Sequence, residues 1–83
     1  MDDTKRAIRK LLADPFAGDS QLSERERVIA KLAAEARTNE QIAAEVGSSP
    51  MMVAQYMRFI LYKLGVPKKQ DLTVLLLERI ANA

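Results

Sequence analysis

Helix punctuation constrains this chain more than any other feature of its sequence. Ser23-Glu24-Arg25-Glu26 is a capping box: the serine oxygen accepts from the amide three residues on, and the glutamate reaches back. Thr38-Asn39-Glu40-Gln41 repeats the device. Ser49 followed by Pro50 opens another helix, because proline at the first helical position gives up an amide that has no helical partner. Gly47-Ser48-Ser49 breaks the preceding segment after Val46, and Gly65 suits the left-handed residue that closes a helix. Val66-Pro67 then forbids continuation.

These signals divide the middle of the chain into a helix from Ser23, a short one from Thr38 to Val46, and a longer one from Pro50 to Leu64. Ile29, Leu32, Ala33 and Ala36 form the expected buried stripe of the first, and Ile42, Ala43 and Val46 that of the second. Val53, Met57, Ile60 and Leu64 share the inward face of the third. Two flanking helices complete the set. Thr4 to Ala13 carries Ile8, Leu11 and Leu12 on one face, with Asp3 as cap and Asp14-Pro15 as stop. The last helix runs from Lys69 or Gln70 to Ile80 and is apolar over much of its circumference. No strand pattern competes, so the fold class is all-α. The Thr38–Val46 helix has only about two turns and is too short to stand alone. A short helix, a glycine turn and a longer helix with a basic end form the arrangement that lays a helix in a DNA groove.

Composition narrows the chemistry. The 83 residues make one domain, and 48% hydrophobic with 29% charged residues reads as globular. Cysteine and histidine are both absent, which excludes disulfides and thiolate metal sites and removes the commonest metal ligand and general base. With no glycine-rich phosphate loop and no carboxylate pair in an apolar setting, we expect no enzyme, no cofactor, no metal and no small-molecule substrate. The apolar runs at Phe59–Tyr62 and Thr73–Leu77 fall far short of the ~20 residues that cross a bilayer. The amino terminus lacks the charge order of a signal peptide, so a cytoplasmic protein with no membrane partner is expected. Positive charge gathers in one stretch: Arg58, Lys63, Lys68 and Lys69 stand between Pro50 and Lys69 with no acid among them. That suits a phosphate-bearing partner.

The residues resemble a known family. Leu22-Ser23-Glu24-Arg25-Glu26 with Ile29 and Leu32, Thr38-Asn39 with Ile42-Ala43, then Ser49, Val53, Ile60 and Lys63-Leu64-Gly65-Val66 are similar to the LuxR/GerE-type helix-turn-helix DNA-binding domain. The spacing needs no gap from Leu22 to Val66, and the final helix fits the family's fourth. The resemblance implies a four-helix domain over residues 21–83, preceded by an extra amphipathic helix and connection over residues 1–20. It implies a regulator of transcription bound to double-stranded DNA as a homodimer, with helix 50–64 in the major groove and the amino end of the supporting helix, at Thr38 and Asn39, over a phosphate. The family's dimerisation element corresponds to the last helix, here with Leu72, Leu75 and Leu76.

The face of helix 50–64 that the core leaves outside carries Met51, Met52, Gln55, Arg58, Phe59 and Tyr62. Gln55 matches adenine, Arg58 guanine or phosphate, and Lys63 the backbone, while a partly exposed Val53 meets a thymine methyl. Where the family's recognition helix opens with threonine and valine, then a polar residue and soon a histidine, this chain has Met52, Val53, Ala54 and Tyr56. Methionine and alanine give no strong hydrogen bonds to bases or phosphates. Apolar patches mark protein interfaces, so Met51, Met52, Phe59 and Tyr62 also fit a module that binds another transcription regulator or a polymerase subunit. A plainer alternative is that the helix of residues 4–13 covers them within the same chain.

Overall fold

The computed structural model describes residues 3–83 as five α-helices, with no strand among the described residues. They are α1 (Asp3–Ala13), α2 (Glu24–Ala34), α3 (Asn39–Val46), α4 (Pro50–Leu64) and α5 (Asp71–Ala81). Both capping boxes form. Ser23 Oγ accepts the Glu26 amide at 3.1 Å while Glu26 Oε1 accepts the Ser23 amide at 2.8 Å. Thr38 Oγ1 and Gln41 Oε1 exchange the same pair of bonds at 3.1 and 2.9 Å. Ser49 Oγ accepts the Met52 amide at 3.2 Å, with Pro50 at the start of α4 as expected. Asp3, expected as a cap, instead lies in the first turn of α1, where its charge favours the helix dipole.

Three helices end in one motif. Just past the helix end an amide folds back to the carbonyl five positions earlier, and the residue before that amide is left-handed. Gly47 and Gly65 supply it after α3 and α4, at φ 67° and 70°. After α2 the position falls to Ala36, at φ 63°, with its own amide on the Ala33 carbonyl and the Arg37 amide on that of Leu32. The sequence reading had placed Ala36 on the buried stripe of α2; it is exposed, because the helix has already stopped.

α2 is the central element and packs against α3, α4 and α5. Ile29, Ala30, Leu32, Ala33 and Ala34 of α2 meet Ile42 and Ala43 of α3, Val53, Met57 and Ile60 of α4, and Leu72 and Leu76 of α5 in one core. Leu72 and Leu76, expected at a dimer interface, are therefore interior residues. The apolar circumference of α5 hid which stripe turns inward. Thr73 Oγ1 of α5 donates at 2.8 Å to the Ala34 carbonyl at the end of α2, where helix carbonyls lack helical partners, and Lys69 Nζ, just ahead of α5, donates at 2.7 Å to the Arg37 carbonyl in the segment after α2.

The segment joining α1 to α2 belongs to the same core. Phe16 is fully buried, with the Arg79 guanidinium 5.2 Å from its ring centre. Arg79 also donates to the Pro15 carbonyl at 2.9 Å and to both carboxylate oxygens of Asp19 at 2.6 and 3.1 Å. α1 itself packs on α5 and on no other helix among the described residues, and it buries no residue completely. The expectation that it covers the apolar face of α4 is thus overturned: its half-buried Ile8 and Leu11 are supported by α5 and the connector instead.

One ion pair sets the position of α4. Glu26 is the single buried charged residue among those described, and Lys63 Nζ donates to its two oxygens at 2.9 and 3.0 Å. Burial acts most strongly on this carboxyl and raises its pKa. The Ser23 amide, the Lys63 hydrogen bond, the Ser23 side chain and the Lys63 charge together outweigh burial and hold the pKa below the ordinary value of 4.5. A depressed pKa means stability present above that ordinary value and lost as pH falls through the folded one.

Two outcomes follow. Ala36→Gly removes the penalty of a left-handed alanine and raises unfolding stability by about 0.5–1 kcal/mol in urea titrations, since the gain exceeds the added freedom of the unfolded chain. Glu26→Gln lowers stability by about 1–2 kcal/mol at neutral pH. The gap between wild type and this variant closes as pH is lowered below 4.5, read as converging urea midpoints.

Candidate nucleic-acid interface

α3 and α4 meet through the turn at Gly47-Ser48-Ser49, and the flank of α4 turned away from the core is covered by no other element. The geometry of this pair is braced by Arg25. Its Nη2 donates to the Val46 carbonyl at the end of α3 at 3.2 Å, and its guanidinium lies 5.7 Å from the ring centre of Tyr56 on α4. Gln21 adds a bond from Nε2 to the Lys63 carbonyl at 3.3 Å, near the other end of α4. The sequence reading did not single out Arg25 or Gln21, because their partners lie on other elements and leave no local spacing to read.

Met51, Phe59 and Tyr62 are 77%, 61% and 86% exposed. Met52, Gln55 and Arg58 are exposed beside them, and Gln55, Arg58, Phe59 and Tyr62 line one shallow depression. Six of the expected contact residues of α4 therefore share one open surface. Val53 does not. It is fully buried against α2 and α3, so its methyls are closed to a base edge, and the suggested thymine contact is withdrawn.

The cationic supply is smaller than the sequence suggested. Lys63 is paired with Glu26, so its charge is neutralised inside the chain rather than free for a phosphate. Lys69 is held on the Arg37 carbonyl. Arg58 makes no hydrogen bond or ion pair with any described residue, and the Lys68 side chain is exposed, so two of the four bases in this stretch remain uncommitted. Nothing on α4 offsets Arg58, since the helix contains no acid.

At the amino end of α3 the reciprocal box occupies the Thr38 and Gln41 amides, leaving those of Asn39 and Glu40 for an anion. Thr38 is exposed and Asn39 half-buried. Two polar atoms here, Arg37 Nε and Asn39 Oδ1, are buried without a partner. Glu40 in the first turn opposes the approach of a phosphate through its own charge.

No cluster of acidic residues among those described is arranged to hold a metal ion, and no helix among them is long and apolar enough to cross a membrane. No curated protein and no solved structure matches the chain. Residues 20–76, which include α2, α3 and α4 entire and the first half of α5, match the family model described as bacterial regulatory proteins, luxR family. The two capping boxes, the glycine turn between a short and a long helix, the Glu26–Lys63 pair and the open flank of α4 all lie within that match. The chain belongs to the luxR family of bacterial regulatory proteins, whose domain is a DNA-binding helix-turn-helix of transcription regulators.

Proposed function

We propose that the protein regulates transcription by laying α4 in the major groove of duplex DNA. The observation that carries this reading is an unobstructed, acid-free flank on the second helix of a helix-turn-helix. Gln55 and Arg58 serve as the base-reading groups, Arg58 with guanine and Gln55 with adenine. The free amides at Asn39 and Glu40 and the side chain of Lys68 serve the sugar-phosphate backbone. On this reading the protein works where the bacterial chromosome is, in the cytoplasm, and requires neither catalysis nor a cofactor.

The same reading includes a homodimer. With Leu72 and Leu76 in the core and Leu75 half-buried, the outer surface of α5 presents Val74 and Leu77 instead. These are three residues apart and lie on one face. Exposed apolar side chains at that spacing support self-association, which would place two copies of α4 on two half-sites.

A second reading is favoured by the apolar exposure of Met51, Phe59 and Tyr62 together with the neutralised Lys63. On that reading α4 docks another transcription regulator or a polymerase subunit.

Duplex titrations over a range of salt concentrations test the first reading. Arg58→Ala weakens binding and lowers the slope of log affinity against log salt by about one. Lys63→Ala destabilises the fold and leaves that slope unchanged, because its charge is already paired. A wild-type chain that fails to bind duplex at low salt refutes groove insertion. Sedimentation tests the dimer: wild type sediments at twice the chain mass and Leu77→Asp as a monomer, whereas a monomeric wild type refutes the α5 contact.

A further inference from the structure

Four of the exposed residues of α4 follow a specific spacing. Met52, Gln55, Phe59 and Tyr62 are separated by three, four and three positions, the repeat that forms the seam between two packed helices. In that frame Met51 and Arg58 flank the seam on one side, while Tyr56 and Lys63 flank it on the other. The second side is already satisfied within the chain. Tyr56 lies under the Arg25 guanidinium, and Lys63 is paired with Glu26. On the first side Arg58 has no partner among the described residues. Flanking charges of this kind choose which helix packs and in what register.

We propose that α4 docks an amphipathic helix of another protein, one whose apolar residues follow the same three-four spacing and whose flank carries a carboxylate opposite Arg58. This rests on the protein-docking reading above and assigns the chemistry of its partner. Methionine at one end of the seam adapts to shape, and the aromatic rings with an arginine at the other end are the composition of binding hot spots. The carboxylate is required because enclosing Arg58 without a counter-charge is costly. The α4 helix of a second copy does not supply it. Packed antiparallel, α4 sets Arg58 against Arg58. Packed parallel, it sets Arg58 against Tyr56 and an already paired Lys63. α4 contains no acid in either case. Duplex DNA brings phosphates, but this face offers it one unpaired cation among four apolar side chains. A partner seated here occupies the flank that would enter a groove, so docking and DNA insertion exclude one another.

The test uses a displayed library of helical peptides with a fixed apolar three-four stripe and flanking positions varied among Glu, Gln and Lys. It is selected against the full chain as wild type, Arg58→Glu and Phe59→Asp, each shown folded by circular dichroism. Wild type enriches flanking glutamate, and a synthetic Glu-flanked peptide binds roughly tenfold tighter than its Lys-flanked counterpart. Arg58→Glu reverses the preference to lysine, and Phe59→Asp abolishes enrichment. Enrichment that Phe59→Asp abolishes but flanking charge does not affect overturns the carboxylate assignment and leaves the docking reading standing. No enrichment dependent on Phe59 overturns both. Loss of duplex affinity in Phe59→Asp without any peptide selection assigns the face to DNA and overturns the proposal.

Discussion

The carboxylate of Glu26 fixes how two packed parts of this fold meet. Through one oxygen it closes the amino end of α2 on the Ser23 amide, and through both it holds the ammonium near the carboxyl end of α4. It sits in the interior, where an unpaired charge is strongly unfavourable, so α4 cannot rotate or slide without exposing that cost. The direction in which α4 turns its open flank follows from this constraint. The brace that orients the helix also ties up one of its two cations in an ion pair. Structural order and electrostatic reach therefore draw on the same side chain, and the open flank of α4 is largely apolar.

Local chemistry made much of this legible in the chain. Serine, threonine, glutamate and glutamine three residues apart announced the helix starts, and Gly47 and Gly65 announced two of the ends. Each of those signals acts over a single turn, which is why it can be read from order alone. Ala36 performs the work of a glycine without looking like one. Packing supports the left-handed turn there: Thr73 of α5 and Lys69 just ahead of α5 bind the carbonyls of Ala34 and Arg37 on either side of it.

The site was legible in its content and less so in its allegiances. The six contact residues on the open flank of α4 follow from an inward stripe of Val53, Met57 and Ile60 at helical spacing. What the order of residues could not show were contacts across distance in the chain. Lys63 finds Glu26 thirty-seven positions away, and Lys69 finds the Arg37 carbonyl at thirty-two. Both had been counted as free charges. On α5, leucines point in several directions, and only the packing of α2 decides that Leu72 and Leu76 are interior while Val74 and Leu77 are not.

The connector beneath Arg79 changes where the cooperative unit begins. The family match starts at residue 20, yet Phe16 is wholly enclosed and Pro15 and Asp19 are tied to α5 through one guanidinium. A polypeptide trimmed to begin at residue 20 keeps the helix-turn-helix but strips a phenylalanine plug from its base and leaves Arg79 facing an emptied socket. The packed core thus reaches further along the chain than the family likeness does, through the ring of one aromatic residue.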